Sequence, residues 1–316
     1  MLNRRILRIK AFKELYACAE NPGKSLKEAL ADLDASMEAT RDLYLLMLSV
    51  IPPLTAEASR RIEAARGKFN PTEEDLNPNL KFVRNSLSPL LEDDPDFRKI
   101  IEKKKISWDQ YDVFLHDLYE SVKTKPWYQT YMESPEVSLA EDVRLFKKMY
   151  EEEFEDSEAL AAILEDLNIR WTDDLGYVLG FIIRDLDDIA RTGRWRLPPL
   201  VNSDLLIRQG KKADSDLRFV RTLLETAVGN YPQYEKMIAA LVSRWDSDRL
   251  YTTDVVLIAL GLSEAVCFPE IPLRVTINEY VEISKFYSTP KSGSFVNGLL
   301  DRLIKQFAAE GKINKN

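Results

Sequence analysis

Arg4, Arg5 and Arg8 open the chain, and Phe12 and Tyr16 follow them at helical intervals. At about 100° per residue, Arg5, Arg8, Phe12 and Tyr16 lie along one helical stripe, with Arg4 one turn from Arg8. Guanidinium groups pair with phosphate through two parallel hydrogen bonds, and a tyrosine offers a face to an unstacked base. This is the chemistry that single-stranded RNA requires. The plainer alternative packs Phe12 and Tyr16 into a core and leaves the arginines on a solvated face. Phe12 reads as core, and Tyr16 fits either account. A second group lies near the other end, where Lys285, Tyr287 and Lys291 flank a loop holding Ser288, Thr289, Ser292 and Ser294. Those hydroxyls can donate to phosphate or cap the next helix, whose first N–H groups attract anions. Gly298 inside that helix costs about 1 kcal/mol relative to alanine, so it is expected to permit close backbone packing. Together these residues suggest an RNA-facing or phosphate-facing loop docked on a helical core.

Catalytic chemistry has little to work with. His116 is the only histidine and sits beside Asp112, Phe114 and Asp117, a setting that reads as structural. Cys18 and Cys267 have no Cys-x-x-Cys spacing. Phosphate-binding and nucleotide-binding glycine motifs and a G-x-S-x-G elbow are all missing. "RDLDD" (184–188) reads as an acidic helix face. The chain is expected to be no enzyme and to need no metal or cofactor.

The elements that must position these residues are helices. Of 316 residues, 45% are hydrophobic and 30% charged, only 11 are glycine, and the rest is rich in good helix formers. No run of about 18 apolar residues suggests a membrane span. No apolar stretch of signal-peptide type follows the basic start, and two cysteines make no disulfide framework, so a cytoplasmic setting is expected. The net charge of −8 argues against general nucleic-acid binding, yet residues 1–13 hold five cations and no acid. A solvated basic helix end explains that patch as well as a local phosphate contact does.

Periodicity and breakers place helices over 2–20, from Ser25 to Pro52-Pro53, and over 56–68, 80–91, 95–103, 107–122, 138–154, 157–168 and 172–191. Ser25 and Glu28 form a capping-box pair. "KTKPWYQTYMESPEVS" reads as an irregular connection, and "RTGRWRLPPLVNSD" (191–204) as a boundary. Beyond it, amphipathic stretches recur, with "LRFVRTLLETAVGN" and "YPQYEKMIAALVSRW" standing as separate runs. Residues 146–171 echo 219–245, each opening on Phe and closing on Arg-Trp, which raises a duplication.

"VTINEYVEISKFYSTPKSGSFVNGLLDRL" resembles the C-terminal signature of the NusB family of transcription antitermination factors. The matching positions include Pro272, Val275, Ile277, Asn278, Glu279, Glu282, Lys285 and Ser292, then Phe295-Val296-Asn297-Gly298 and Leu300-Asp301. "NRRILRIKAFKELYA" agrees at Arg4, Arg5, Arg8, Leu15 and Tyr16. The resemblance covers about residues 2–20 and 215–305. It implies an all-α, NusB-like helical bundle whose N-terminal helix packs on a C-terminal bundle, with a large helical insertion between. The expected division is 1–20 for the arginine-rich helix, 21–204 for the insertion, itself a degenerate second bundle if the echo is real, 205–308 for the C-terminal bundle and 309–316 for a tail.

The resemblance further implies RNA binding to boxA-like nascent ribosomal RNA, with the ribosomal protein NusE, inside an RNA polymerase antitermination complex. It carries Arg4, Arg5, Arg8, Tyr16, Tyr287, Ser292 and Phe295 to the RNA, and the loop reading adds Lys285 and Lys291. Asp248 and Asp254 fall where the family has acids near its NusE and RNA contacts, and they are assigned to NusE. Ile258-Ala259 departs from the family's Leu-Arg, and Lys291 replaces an Asp found in some members. The competing reading is a helical protein-interaction scaffold that keeps the fold without binding RNA. An RNA-modifying enzyme with a NusB-like domain is a third, but the chain lacks a glycine-rich cofactor domain.

Overall fold

The computed structural model describes residues 1–201, 216–242, 251–313 and 315. Helices α1 (Arg4–Glu20) and α2 (Leu26–Leu48) lead into α3 (Ile51–Arg66), α4 (Glu73–Leu76), α5 (Leu87–Glu92) and α6 (Pro95–Lys104). Next come α7 (Asp112–Lys123), α8 (Pro126–Glu133), α9 (Leu139–Glu152), α10 (Glu158–Leu167) and α11 (Leu175–Thr192). The last four are α12 (Asp216–Val242), α13 (Thr252–Cys267), α14 (Leu273–Tyr287) and α15 (Ser292–Ala309). Among the described residues the fold is all-α, and the only extended pairing is a parallel bridge between Leu2 and Val201. Two compact units divide the chain, one of Met1–Met37 with Pro199–Asn316 and one of Glu38–Pro198.

The first unit is built around α13. From Val255 to Ala265 its side chains are buried on every face, as expected of a helix apolar all round. Helices α1, α12, α14 and α15 pack against it. The close approach occurs at Gly261, where a Cβ would meet Leu300 Cδ2 at 2.7 Å and Tyr280 Cδ2 at 3.2 Å. Gly298 does not play the expected part, because it is exposed and a Cβ there would meet nothing within 4 Å. Helix α1 begins at Arg4 and not at Leu2, because Leu2 is in the bridge and Asn3 Oδ1 accepts from Ile6 N at 3.0 Å as the N-cap. It ends where Asn21-Pro22 interrupts the helix. Ser25 and Glu28 form the expected capping box, with Ser25 N donating to Glu28 Oε2 at 2.8 Å and Glu28 N donating to Ser25 Oγ at 3.3 Å.

In the second unit, Phe82 is buried among the rings of Tyr119, Tyr128 and Phe146, at 5.6–5.8 Å. Tyr150 donates to Met47 O at 2.8 Å, and Trp108 Nε1 donates to Leu46 O at 3.0 Å. Three departures from the sequence reading have plain causes. Pro52 and Pro53 begin α3 as much as they end α2, since proline suits the first helical turn. The supposed irregular stretch holds α8, started by Pro126 and anchored by buried Tyr128 and Tyr131. Helix α12 continues past Pro232, because Tyr234 and Ile238 beyond it are buried like Phe219 before it. The 146–171 echo divides into α9, α10 and a 3-10 turn at Ile169–Trp171, unlike the continuous α12. The two stretches therefore differ in how their helices are divided over the described residues.

Candidate nucleic-acid interface

The arginines of α1 face inward more than their spacing suggests. Arg8 is only 4% exposed and gives Glu264 two hydrogen bonds, Nε to Oε2 at 2.7 Å and Nη2 to Oε1 at 2.8 Å. Glu264 is fully buried and also accepts from Thr276 Oγ1 at 2.9 Å and Tyr280 OH at 3.1 Å. This network joins α1, α13 and α14. Burial opposes the charge on Arg8, but the paired Glu264 outweighs it, and the guanidinium is held protonated above its ordinary range. Arg8, expected at the RNA, lies in this buried ion pair. Arg4 Nε donates to Asp216 Oδ1 at 3.0 Å, and its guanidinium lies 4.9 Å from the Phe219 ring centre. Arg5 gives Glu279 two hydrogen bonds, at 3.0 and 2.7 Å, with its side chain 51% exposed. The Arg5 hydrogen bonds hold the Glu279 carboxyl below the usual carboxylate range, against a smaller upward push from burial.

The 288–292 loop is fastened to the start of α13. Ser288 Oγ donates to Asp254 Oδ1 at 2.7 Å, and Ser292 Oγ donates to Asp254 Oδ2 at 3.0 Å. Thr289 Oγ1 and Ser288 Oγ each lie 2.9 Å from Ser292 Oγ, and Thr253 Oγ1 lies 3.0 Å from Ser288 Oγ. Burial pushes the Asp254 carboxyl above its ordinary value, and the two serine hydroxyls offset part of that rise. Ser292 and Asp254 are both 2% exposed. Ser292, expected at the RNA, and Asp254, expected at a partner protein, are both placed where they hold the loop. Asp248 lies outside the described residues.

The outward chemistry is aromatic and lysine-based. Phe12 is buried, as its spacing suggested, and the ring centres of Tyr16 and Tyr287 lie 6.4 and 5.3 Å from it. Tyr16 is 37% exposed, and Lys13 Nζ lies 5.7 Å from the Tyr287 ring centre. Next to the loop, Tyr251, Asp254, Thr289, Lys291, Ser292 and Phe295 border an open cavity of about 390 Å³. Lys291 is exposed and has no ion-pair partner among the described residues. Lys285 is exposed and pairs with Glu282 on the same helix. The surface can stack flat rings and attract phosphates. Among the described residues no group of three or more His, Cys, Asp or Glu could hold a metal ion.

Lys13 and Tyr251 join this surface without being among the site residues expected from the sequence. Lys13 lies three residues before Tyr16, so the same helical spacing could have marked it. Tyr251 gives no local signal, because it reaches the cavity only through the fold.

A NusB family model matches residues 199–305. A transcription antitermination protein NusB from Thermotoga sp. (strain RQ2) is 38% identical over 103 residues, covering 32% of this chain and 70% of that protein. The one from Thermodesulfovibrio yellowstonii is 34% identical over 106 residues, covering 33% of this chain and 70% of that protein. A third, from Salinibacter ruber, is 31% identical over 111 residues, covering 35% of this chain and 69% of that protein. No solved structure matches the chain. No helix among the described residues is long and apolar enough to cross a membrane.

Proposed function

Because the chain belongs to the NusB family, we propose that it is an RNA-binding transcription antitermination factor, acting in the cytoplasm without catalysis. Its RNA is boxA-like nascent ribosomal RNA, bound together with NusE within an RNA polymerase antitermination complex. The observation that carries this reading is the pair of exposed Tyr16 and half-buried Tyr287 on buried Phe12, with Lys13 alongside. In this reading Tyr16, Tyr287 and Phe295 receive bases, while Lys13, Lys285 and Lys291 attract phosphates. Arg5 remains exposed enough to share its guanidinium between Glu279 and a phosphate. Arg4, Arg8, Asp254 and Ser292 position that surface from behind. The NusE partnership rests on kinship.

The test is binding of a labelled boxA-type RNA to the purified full chain, with and without NusE, at two salt concentrations. Tyr287→Ala is expected to weaken binding by about 1–3 kcal/mol, the usual worth of one base–aromatic stack. Higher salt should weaken it as well. Undiminished binding by a correctly folded Tyr287→Ala with Tyr16→Ala would remove this surface from the reading. A second reading, a protein-interaction scaffold without RNA binding, draws on the carboxylates that already occupy Arg4, Arg5 and Arg8. No RNA binding in any of the four conditions would favour it.

A further inference from the structure

The unit Glu38–Pro198 carries a groove of about 460 Å³ between α3, α5, α6 and the residues that follow α6. Its floor is apolar, with Pro52, Pro53, Ala56, Ile101, Ile106 and Trp108 among the lining residues. The floor is held in shape. Trp108 donates its indole N–H to Leu46 O at 3.0 Å, and its ring stacks on Phe114 at 5.5 Å. Phe97 packs edge-on to Trp195 at 4.9 Å. The groove is thus a fixed concavity of the size that takes a few large side chains.

Its rim sets the charge of what it can take. Glu92, Glu102 and Asp109 line it, are exposed, and have no ion-pair partner among the described residues. Arg98 is the one cation in the lining and is also without such a partner. Asp93 and Asp96, both exposed, continue the acidic side next to Glu92 and Asp94, while exposed Lys99, Lys103 and Lys105 follow along α6 and its end. Elsewhere in this unit some exposed carboxylates meet cations, as Glu136 does Arg144 and Asp187 does Lys147, while others, Glu165 and Asp166 among them, have no ion-pair partner among the described residues. Carboxylates left uncompensated around an apolar floor complement a ligand that is apolar on one face and cationic at its edges. They also repel a phosphate backbone, which separates this groove from the proposed RNA surface.

We propose that this groove docks a basic amphipathic helix of another protein, its aliphatic side chains on the floor and its lysines or arginines against Glu92, Glu102 and Asp109. Such a helix presents anchors at spacings of three and four residues, which suits a groove walled by helices. The site is independent of the RNA reading, and neither depends on the other.

The probe is a fluorescein-labelled amphipathic helical peptide of leucine and lysine, titrated with the full chain by fluorescence anisotropy. The same peptide with glutamate for lysine is the counter-probe. The lysine peptide is expected to bind at least about tenfold more tightly than the glutamate peptide, and less tightly as salt rises. Glu92→Lys with Glu102→Lys should weaken it about tenfold, and Arg98→Glu should strengthen it. The equal charge change Glu165→Lys with Asp166→Lys, on exposed α10 positions, should leave affinity unchanged and thereby exclude a general attraction to an acidic protein. Ile101→Glu should abolish binding while the circular dichroism of the chain is preserved. Equal effects of the two double reversals would overturn the proposal. So would equal binding of the two peptides.

Discussion

The first two turns of α1 and its third turn look alike in sequence, since both carry cations within residues 1–13, where no acid occurs. In the fold they differ. Arg4, Arg5 and Arg8 each meet a carboxylate, respectively Asp216, Glu279 and Glu264, so their charges serve mainly to fix α1 to its bundle. Further along, exposed Tyr16 and half-buried Tyr287 pack on the buried Phe12 ring, and Lys13 Nζ lies 5.7 Å from the Tyr287 ring centre. The density of cations along a helix therefore does not locate a phosphate-binding face. What separates the two turns is what the bundle packs against each, carboxylates against the arginines and the Tyr287 ring against Lys13.

The most severe way to test that contrast is to remove Arg8. Arg8→Ala leaves Glu264 buried without its cation, and breaking a buried pair in this way costs about 3–5 kcal/mol. The variant should lower the midpoint of urea unfolding steeply. Arg8→Met with Glu264→Leu should recover part of the loss, since it removes both charges. A mild effect of Arg8→Ala would mean that the pair does not anchor α1. A smaller effect is expected from Gly261→Ala, which forces a methyl against Leu300 and Tyr280 and should cost about 1–3 kcal/mol by thermal melting.

The fold was readable because periodicity and breakers act locally. Asn21-Pro22-Gly23 ends α1, the Ser25–Glu28 box starts α2, and the apolar stripe of α15 faces the core at Val296, Leu299, Leu300 and Leu303. The site was less readable, because its partners are distant in the chain. Nothing near Arg8 announces Glu264, and nothing near Ser292 announces Asp254. Both pairs form between helices, and the family signature includes such residues without separating those that meet a ligand from those that hold the ligand's neighbours. Gly298 and Gly261 teach the same point, since a glycine's use depends on what the fold brings against it.

Smaller and more discriminating is the response to acid of two carboxylates that flank this surface and shift in opposite directions. Glu279 is depressed by Arg5, so its contribution to stability is present above the unfolded value, about 4.3, and is lost as pH falls through the lower folded value. Asp254 is raised by burial, so its contribution is full below the unfolded value, about 3.9, and is lost as pH rises through the higher folded value. Glu279→Gln should therefore flatten the acid limb of a melting-temperature profile, by no more than about 1 kcal/mol because Arg5 is half exposed. Asp254→Asn should instead flatten the decline just above the ordinary aspartate range, and it should loosen the loop by depriving one serine of its carboxylate oxygen. In RNA titrations at neutral pH, Asp254→Asn should then weaken binding without contacting RNA, whereas Glu279→Gln should strengthen it by freeing Arg5 for phosphate. If both variants move affinity in the same direction, the division between a cation-neutralising edge and a loop-holding centre is wrong, and the acids act only through net charge.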